Sequence, residues 1–322
     1  MHDRLKVFCG SANRPLARRI CDYLGIELGK INIGRFPDNE ISLKIEEDVR
    51  GRDVFLVQPT CPPVNEHIME LLIMIDSFRR ASAQRITAVV PYYGYARQDR
   101  KDEGRVPITA KLVANLITEA GCDRVLCLDL HAAQIQGFFD VPVDHLYAVP
   151  VLHHYIEKLE LDPDELAIVS PDEGRIKLAL KLQRRLGGTL AVIDKRRSSA
   201  TETDQVSIIG GPVDGKIAIM FDDMISTGGS VVGAARVLHA SGARDIRVCV
   251  THGLFCNNAL ERMRQSPLVQ IVATDSVPLP NAENHEGFLT QLSVAPLLGE
   301  AIKRIHRNES VSFLFNTKIS ER

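Results

Sequence analysis

Two adjacent acids, Asp222 and Asp223, end the apolar run Ile217-Ala218-Ile219-Met220-Phe221. Met224-Ile225-Ser226-Thr227-Gly228-Gly229-Ser230 follows at once and leads into a helical stretch. A buried strand therefore delivers two carboxylates to a sheet edge, and a Gly/Ser/Thr loop opens a helix behind them. Such a loop presents backbone N–H groups and hydroxyls to a phosphate at the positive end of the helix. Paired carboxylates accept hydrogen bonds from sugar hydroxyls or hold a divalent ion. The combination makes a cradle for a phosphosugar. The alternative, a helix capped by Ser226 or Thr227 beside two solvated acids, leaves the acid pair at the ligand edge unexplained.

Other segments carry polar groups where apolar runs end. His131 follows Asp129-Leu130, and Ser170-Pro171-Asp172-Glu173-Gly174 forms an acidic turn. A histidine and an aspartate of this kind can serve magnesium directly or through water, although each type taken singly is more often structural. The segment Ile193–Thr201 places Lys195, Arg196 and Arg197 before a small-residue stretch, as a loop closing over transferred phosphates does. A solvated basic turn fits that composition equally well. Tyr92–Arg100 combines aromatics with Arg97 and Gln98, a set suited to stacking a base and pairing phosphates. Phe36-Pro37-Asp38-Asn39-Glu40 adds an aromatic and two acids in a turn. Gly210–Ile217 matches the spacing of a P-loop up to Lys216, but Ile217 stands where Ser or Thr should bind magnesium and the segment precedes a strand. It reads as a turn.

The elements that must position these groups follow from the hydrophobic pattern. Short Val- and Ile-rich runs at 5–9, 54–58, 86–91, 125–129, 167–170, 190–194, 217–221, 246–251 and 271–274 read as strands covered on both faces. Segments of helical period lie between them, at 66–80, 109–120, 175–186, 230–241 and 295–306, several closed by glycine. Residues 41–47 alternate and read as a half-exposed strand. The alternation predicts an α/β fold of mainly parallel sheets flanked by helices.

The 322 residues are 45% hydrophobic and 25% charged, with 39 Lys+Arg against 41 Asp+Glu, a formal charge of −2. This composition belongs to a globular chain with room for two cores. The near-neutral balance gives no broad field for nucleic acid. No apolar run approaches the ~20 residues of a membrane-spanning helix. The first residues lack the charged-then-apolar order of a signal peptide, so a cytoplasmic protein is expected. Seven cysteines without a Cys-x-x-Cys pair argue against a zinc ribbon or redox motif.

Together these segments resemble the class I ribose-phosphate pyrophosphokinases, which make 5-phosphoribosyl 1-diphosphate from ribose 5-phosphate and ATP. The resemblance covers nearly the whole chain. It rests on Phe36–Glu40, Arg79–Ala83, Tyr93–Asp99, Val106–Lys111, Asp129–Phe139, Ser170–Asp172, Asp194–Arg197 and Asp222–Ser230. It implies two similar phosphoribosyltransferase-type domains, residues 1–148 on the ATP side and 149–307 with the ribose 5-phosphate site, followed by a tail at 308–322. It also implies site roles. Asp222, Ser226, Thr227, Gly228, Gly229 and Ser230 hold ribose 5-phosphate with help from Arg197, and Asp38, Asn39, Glu40, Arg97 and Gln98 bind ATP. His131 and Asp172 serve Mg2+, and Lys195 is the catalytic cation. The implied reaction is attack of the ribose C1 hydroxyl on the β-phosphorus of Mg-ATP with release of AMP. Implied too are homo-oligomers, hexamers of dimers with shared ATP sites, and phosphate and ADP as effectors.

The chain departs from the family pattern at three places. Asn39 stands where glycine is usual, and Ser226 and Ser230 replace an aspartate and a threonine. Glu173-Gly174-Arg175 replaces a glycine pair, so that Arg175 either contacts phosphate or narrows the site. Two other classes share the scaffold. A type I phosphoribosyltransferase needs the Asp222–Ser230 loop but not the Asp38–Glu40 and Arg97-Gln98 segments. A regulatory paralogue keeps the fold and loses key groups, whereas Lys195, Arg197, His131, Asp172 and Asp222 are all present. An active enzyme is therefore expected.

Overall fold

The computed structural model describes residues 4–196, 205–279 and 285–315. The chain forms two compact units. Met1–Pro150, Ser276–Pro278 and Ser293–Arg322 make one, and Val151–Asp275 with Leu279–Leu292 makes the other.

The first unit runs β1 (Leu5–Cys9), α1 (Arg14–Leu24), β2 (Ile31–Arg35), β3 (Ile41–Ile45), β4 (Asp53–Val57), α2 (Val64–Arg80), β5 (Arg85–Val90), α3 (Thr109–Ala120), β6 (Arg124–Leu128) and β7 (Val143–Leu146). Five strands form a parallel sheet in the order β1-β4-β5-β6-β7, while β2 and β3 pair as a separate antiparallel hairpin. Every residue of β4 is buried, as its unbroken Asp-Val-Phe-Leu-Val run demands when helices cover both faces. Phe8, Phe78, Leu71 and Ile75 lie in the core against this sheet.

The second unit opens in α4 (Val149–Glu157). It continues through β8 (Leu166–Ser170), α5 (Ile176–Leu186), β9 (Thr189–Arg196), β10 (Gln205–Gly210), β11 (Ile217–Ile225), α6 (Gly229–Ala240), β12 (Asp245–Gly253), α7 (Ala259–Arg264), β13 (Gln270–Thr274) and β14 (Leu289–Leu292). Its seven strands lie in the order β10-β9-β8-β11-β12-β13-β14, with only the β9–β10 pair antiparallel. From β8 the chain builds outward to β9 and β10, then crosses back so that β11 takes the other side of β8. That reversal creates a crevice at the carboxyl ends of β8 and β11, the usual ligand position in open α/β sheets.

The structure differs from the sequence reading at several elements. Helix α8 (Ala295–His306) falls in the first unit, although a boundary near residue 307 puts it in the second. It packs on α1, where the Tyr23 hydroxyl donates to Glu300 at 3.0 Å and Gly299 lets the Tyr23 ring approach. A Cβ on Gly299 would meet that ring at 2.5 Å. Lys195 and Arg196 continue β9, paired with Val206 and Gln205, and are strand where a loop is expected. Helix α1 carries start and stop signals that were readable in principle: the Asn13 side chain accepts from Leu16 N at 3.2 Å, Pro15 lies in the first turn, and Gly25 closes it at φ 67°.

The end of α8 is also fixed by charge. Asp53, at the start of β4, accepts from Arg85 Nε at 2.8 Å and lies 2.6 Å from His306 Nδ1. Arg85 in turn donates to the Ile305 carbonyl at 3.0 Å. Removing Asp53 leaves the part-buried Arg85 with only the Ile305 carbonyl and Asn308 as acceptors, so Asp53→Ala is expected to cost roughly 1–3 kcal/mol in urea denaturation. Arg80→Ala, which breaks only the exposed Arg80–Asp76 pair, should leave the midpoint unchanged.

Candidate active site

The crevice at the β8–β11 switch point is lined by the groups the sequence singles out. Strand β11 is buried throughout except at Asp222, which is half-buried, and Asp223 is buried. The Asp222 Oδ1 atom accepts from the Asp223 N–H at 2.8 Å, which turns the first carboxylate back over the strand end. After Ile225 the chain leaves the sheet through Ser226 and Thr227 to Gly228, whose φ of 74° makes it the residue preceding α6. Neither Ser226 nor Thr227 caps the helix through its side chain. Gly228 is required twice, by its left-handed backbone and by the Met263 sulfur, which a Cβ would approach to 2.9 Å.

The loop is anchored by its carbonyls. Ile225 O accepts from Leu254 N at 2.9 Å, Ser226 O from Cys256 N at 2.9 Å, and Thr227 O from Arg262 NH1 at 3.1 Å. The first-turn N–H groups of α6 have no acceptor within the helix, which makes this end suited to a phosphate.

Across the crevice, Ser170 Oγ donates to the Asp172 carbonyl at 2.7 Å, and Asp172 Oδ1 accepts from Arg175 N at 3.1 Å. This turn aims Arg175 at the acid pair: Nε lies 3.2 Å from Asp222 Oδ1, and NH2 pairs with Asp223 Oδ1. Sequence reasoning left Arg175 between a phosphate contact and a steric obstacle; the structure adds a further role, that of counter-ion to the acids. Nothing in the local sequence signals that partnership, because 47 residues separate Arg175 from Asp222. Burial raises the Asp222 carboxyl to about 7, helped by the hydrogen bond and charge of Asp223 and opposed by Arg175.

The remaining site residues are distributed as follows. Lys195 lies in β9 opposite Val206 of β10, and Arg197 lies outside the described residues. In the first unit, Asp38, Asn39 and Glu40 form the exposed tip between β2 and β3. Asn39 takes φ 70°, the left-handed conformation for which glycine or asparagine is suited. Arg35 holds this tip, donating to the Asn39 carbonyl at 2.9 Å and pairing with Glu66 on α2. Arg97 and Gln98 are exposed, and Gln98 is fixed by Tyr95 O, by the N–H of Ala110 and by the Thr109 hydroxyl. Asn65 accepts from the Tyr95 hydroxyl at 2.5 Å, so the first turn of α2 braces both segments, a role sequence reasoning missed. His131 follows β6, where Ala148 N donates to Asp129 at 2.8 Å and Leu130 N donates to His145 at 2.9 Å. His131 belongs to the first unit and Asp172 to the second. Residues 210–217 form the connection into β11, with Lys216 donating to the Asp164 carbonyl at 2.7 Å, as a turn and not a P-loop.

With this geometry in view, comparison with known proteins is decisive. A family model described as the N-terminal domain of ribose phosphate pyrophosphokinase matches residues 5–121, and one described as the phosphoribosyl synthetase-associated domain matches residues 196–316. The chain is 61% identical over 314 residues to a ribose-phosphate pyrophosphokinase of Rhodopirellula baltica, covering 98% of this chain and 99% of that one. The chain belongs to the ribose-phosphate pyrophosphokinase family. A Thermotoga maritima relative of the same name is 53% identical, with 97% and 98% covered. The crystal structure of phosphoribosylpyrophosphate synthetase from Mycobacterium smegmatis superposes with a TM-score of 0.88 at 41% identity, over 95% of this chain and 99% of that one. As a ribose-phosphate pyrophosphokinase the chain is an enzyme that transfers a diphosphoryl group from ATP to ribose 5-phosphate. Among the described residues no helix is long and apolar enough to cross a membrane.

The acid pair makes stability depend on pH. The folded state binds the Asp222 proton more tightly than the unfolded chain, whose carboxyl titrates near 3.8. Native protein therefore holds the extra proton between about pH 4 and 7, and stability falls as pH rises through that window, levelling above it. Asp222→Asn should remove this contribution, seen as a smaller drop in Tm between the two ends of the window.

Proposed function

We propose that this pyrophosphokinase binds ribose 5-phosphate in the β8–β11 crevice, with Asp222 accepting from the sugar hydroxyls and residues 226–230 receiving the 5-phosphate. The observation that carries this reading is the acid pair and the α6 N-terminus meeting at the switch point of the sheet. Asp38, Asn39, Glu40, Arg97 and Gln98 serve ATP. Their attachment to the same turn of α2 supports a common purpose. Lys195 and Arg197 supply positive charge to the transferring group.

In the reaction, the C1 hydroxyl oxygen forms a bond to the β-phosphorus while the bridge to the α-phosphate breaks and AMP leaves. The protein contributes positioning and electrostatics, and little covalent chemistry. Among the described residues no group of three or more His, Cys, Asp or Glu can hold a metal. Magnesium on a nucleotide needs only one or two protein donors beside the phosphate oxygens, and Asp172 and His131 are each of a type that would supply one. Bound Mg2+ supplies charge neutralisation on the diphosphoryl oxygens. The reading includes assembly into homo-oligomers, hexamers of dimers, with phosphate and ADP as effectors. Leu112 and Leu116, exposed one turn apart on α3, suit a covered interface.

Phosphorus NMR of the protein with ATP, magnesium and ribose 5-phosphate tests the reaction: AMP and 5-phosphoribosyl 1-diphosphate should appear together, whereas ADP with free phosphate would overturn it. Lys195→Ala should lower kcat by about 10²–10³ with little change in Tm. Near-normal turnover would remove Lys195 from the mechanism.

A further inference from the structure

Arg175 is poorly placed for a purely structural cation. Its backbone is held at the crevice mouth by the Asp172 cap, and its side chain crosses to the carboxylates on the facing strand. Nε and NH2 each take one carboxylate oxygen, so a single guanidinium covers both acids. One oxygen of each acid, Oδ1, is engaged in this way, and the planar guanidinium stands across the face by which sugar hydroxyls must approach if the acid pair is the ribose site. A carboxylate has further acceptor sites, so the competition is for space beside the acids as much as for Oδ1, and a charged donor holds its place there more strongly than a neutral one. The Arg175 side chain is about 20% exposed, Asp222 about 17% and Asp223 about 6%, so the guanidinium reaches in over Asp222 from the solvent side to the more deeply placed acid and can withdraw the same way.

We propose that Arg175 is an internal ligand of the ribose site, one that occupies the acid pair in the free enzyme and is released when ribose 5-phosphate binds. This rests on the reading of Asp222 as a sugar-binding group. Arg175 thereby sets the affinity for the sugar phosphate: binding must include the loss of a two-carboxylate bridge. It touches no reacting atom in this scheme and is an affinity-determining residue, not a catalytic one. It stands where the family resemblance expects glycine, which has no side chain to play this part.

Two measurements on the full-length protein test it. Crystal structures with and without ribose 5-phosphate should show the guanidinium on Asp222 and Asp223 in the free enzyme and beyond hydrogen-bond distance of both in the complex. An unmoved bridge in the complex would overturn the proposal. Arg175→Lys keeps the charge but its compact ammonium lacks the planar fork that spans two carboxylates. Its dissociation constant for ribose 5-phosphate, measured by titration calorimetry without ATP, should be about tenfold lower than that of the unaltered protein. An equal or higher constant would count against release. Asp222→Asn separates the two readings. If it binds ribose 5-phosphate normally, the assignment of the site fails; if it loses binding while the bridge persists in the wild-type complex, only the release of Arg175 fails.

Discussion

Two carboxylates on consecutive residues at the buried end of a central strand are a costly arrangement, and the second unit is organised around making it tolerable. Neither acid can be fully ionised there without a nearby cation or donor, because a desolvated charge is expensive and a like charge beside it more so. Asp222 responds by holding its proton to about pH 7 and by accepting the Asp223 N–H. Asp223 responds by pairing with Arg175. The Asp172 cap exists in the same turn that delivers this arginine, so the ends of β8 and β11 are stitched together by the requirement to compensate charge. Under the proposed reading, a polyhydroxyl ligand would offer neutral donors to the same pair of acids once Arg175 is displaced.

The loop that leads into α6, the proposed phosphate end of the crevice, follows a different logic, that of backbone. The loop after Ile225 gives its carbonyls to the donors of Leu254, Cys256 and Arg262, and Gly228 makes the left-handed step into α6 against the Met263 sulfur. With the carbonyls tied from behind, the loop's shape is set before any anion arrives. Pre-setting of this kind lowers the entropy lost on binding. In the first unit the corresponding work is done by one helical turn: Asn65 and Glu66 tether the Tyr95 segment and, through Arg35, the Asp38–Glu40 tip. Both tethered segments contain a residue in the left-handed region, Tyr95 at 63° and Asn39 at 70°, a conformation that persists only where surroundings enforce it.

Much of this was legible in the chain itself. The buried parallel strands announce themselves as uninterrupted Val/Ile runs, and helices such as α3 and α8 by period and closing residues, because these signals are local. The short edge elements β2, β7, β10 and β14 were not read. They are half-exposed or only four to six residues long, each pairs with the strand next to it in the chain, and so short a run carries too few residues for its period to show. The strand character of residues 195–196 comes from the ladder they form with β10. The Asn13–Pro15 start and Gly25 stop of α1 are local signals too, and they mark a helix that the apolar period alone does not.

What the sequence alone determined is the chemistry: an acid pair, a Gly/Ser/Thr loop before a helix, basic and aromatic segments in one order, and an α/β alternation to carry them. These depend on residue type and short-range spacing, which the chain carries wherever it folds. Only the tertiary structure decided which groups meet. It gave α8 to the first unit through Tyr23 and Asp53, and opened the crevice by crossing β11 to the far side of β8. It also brought Arg175 to Asp222 and Asp223 as their counter-ion. Partnerships between groups tens or hundreds of residues apart depend on loop closure and packing, for which no local pattern of residues holds a record.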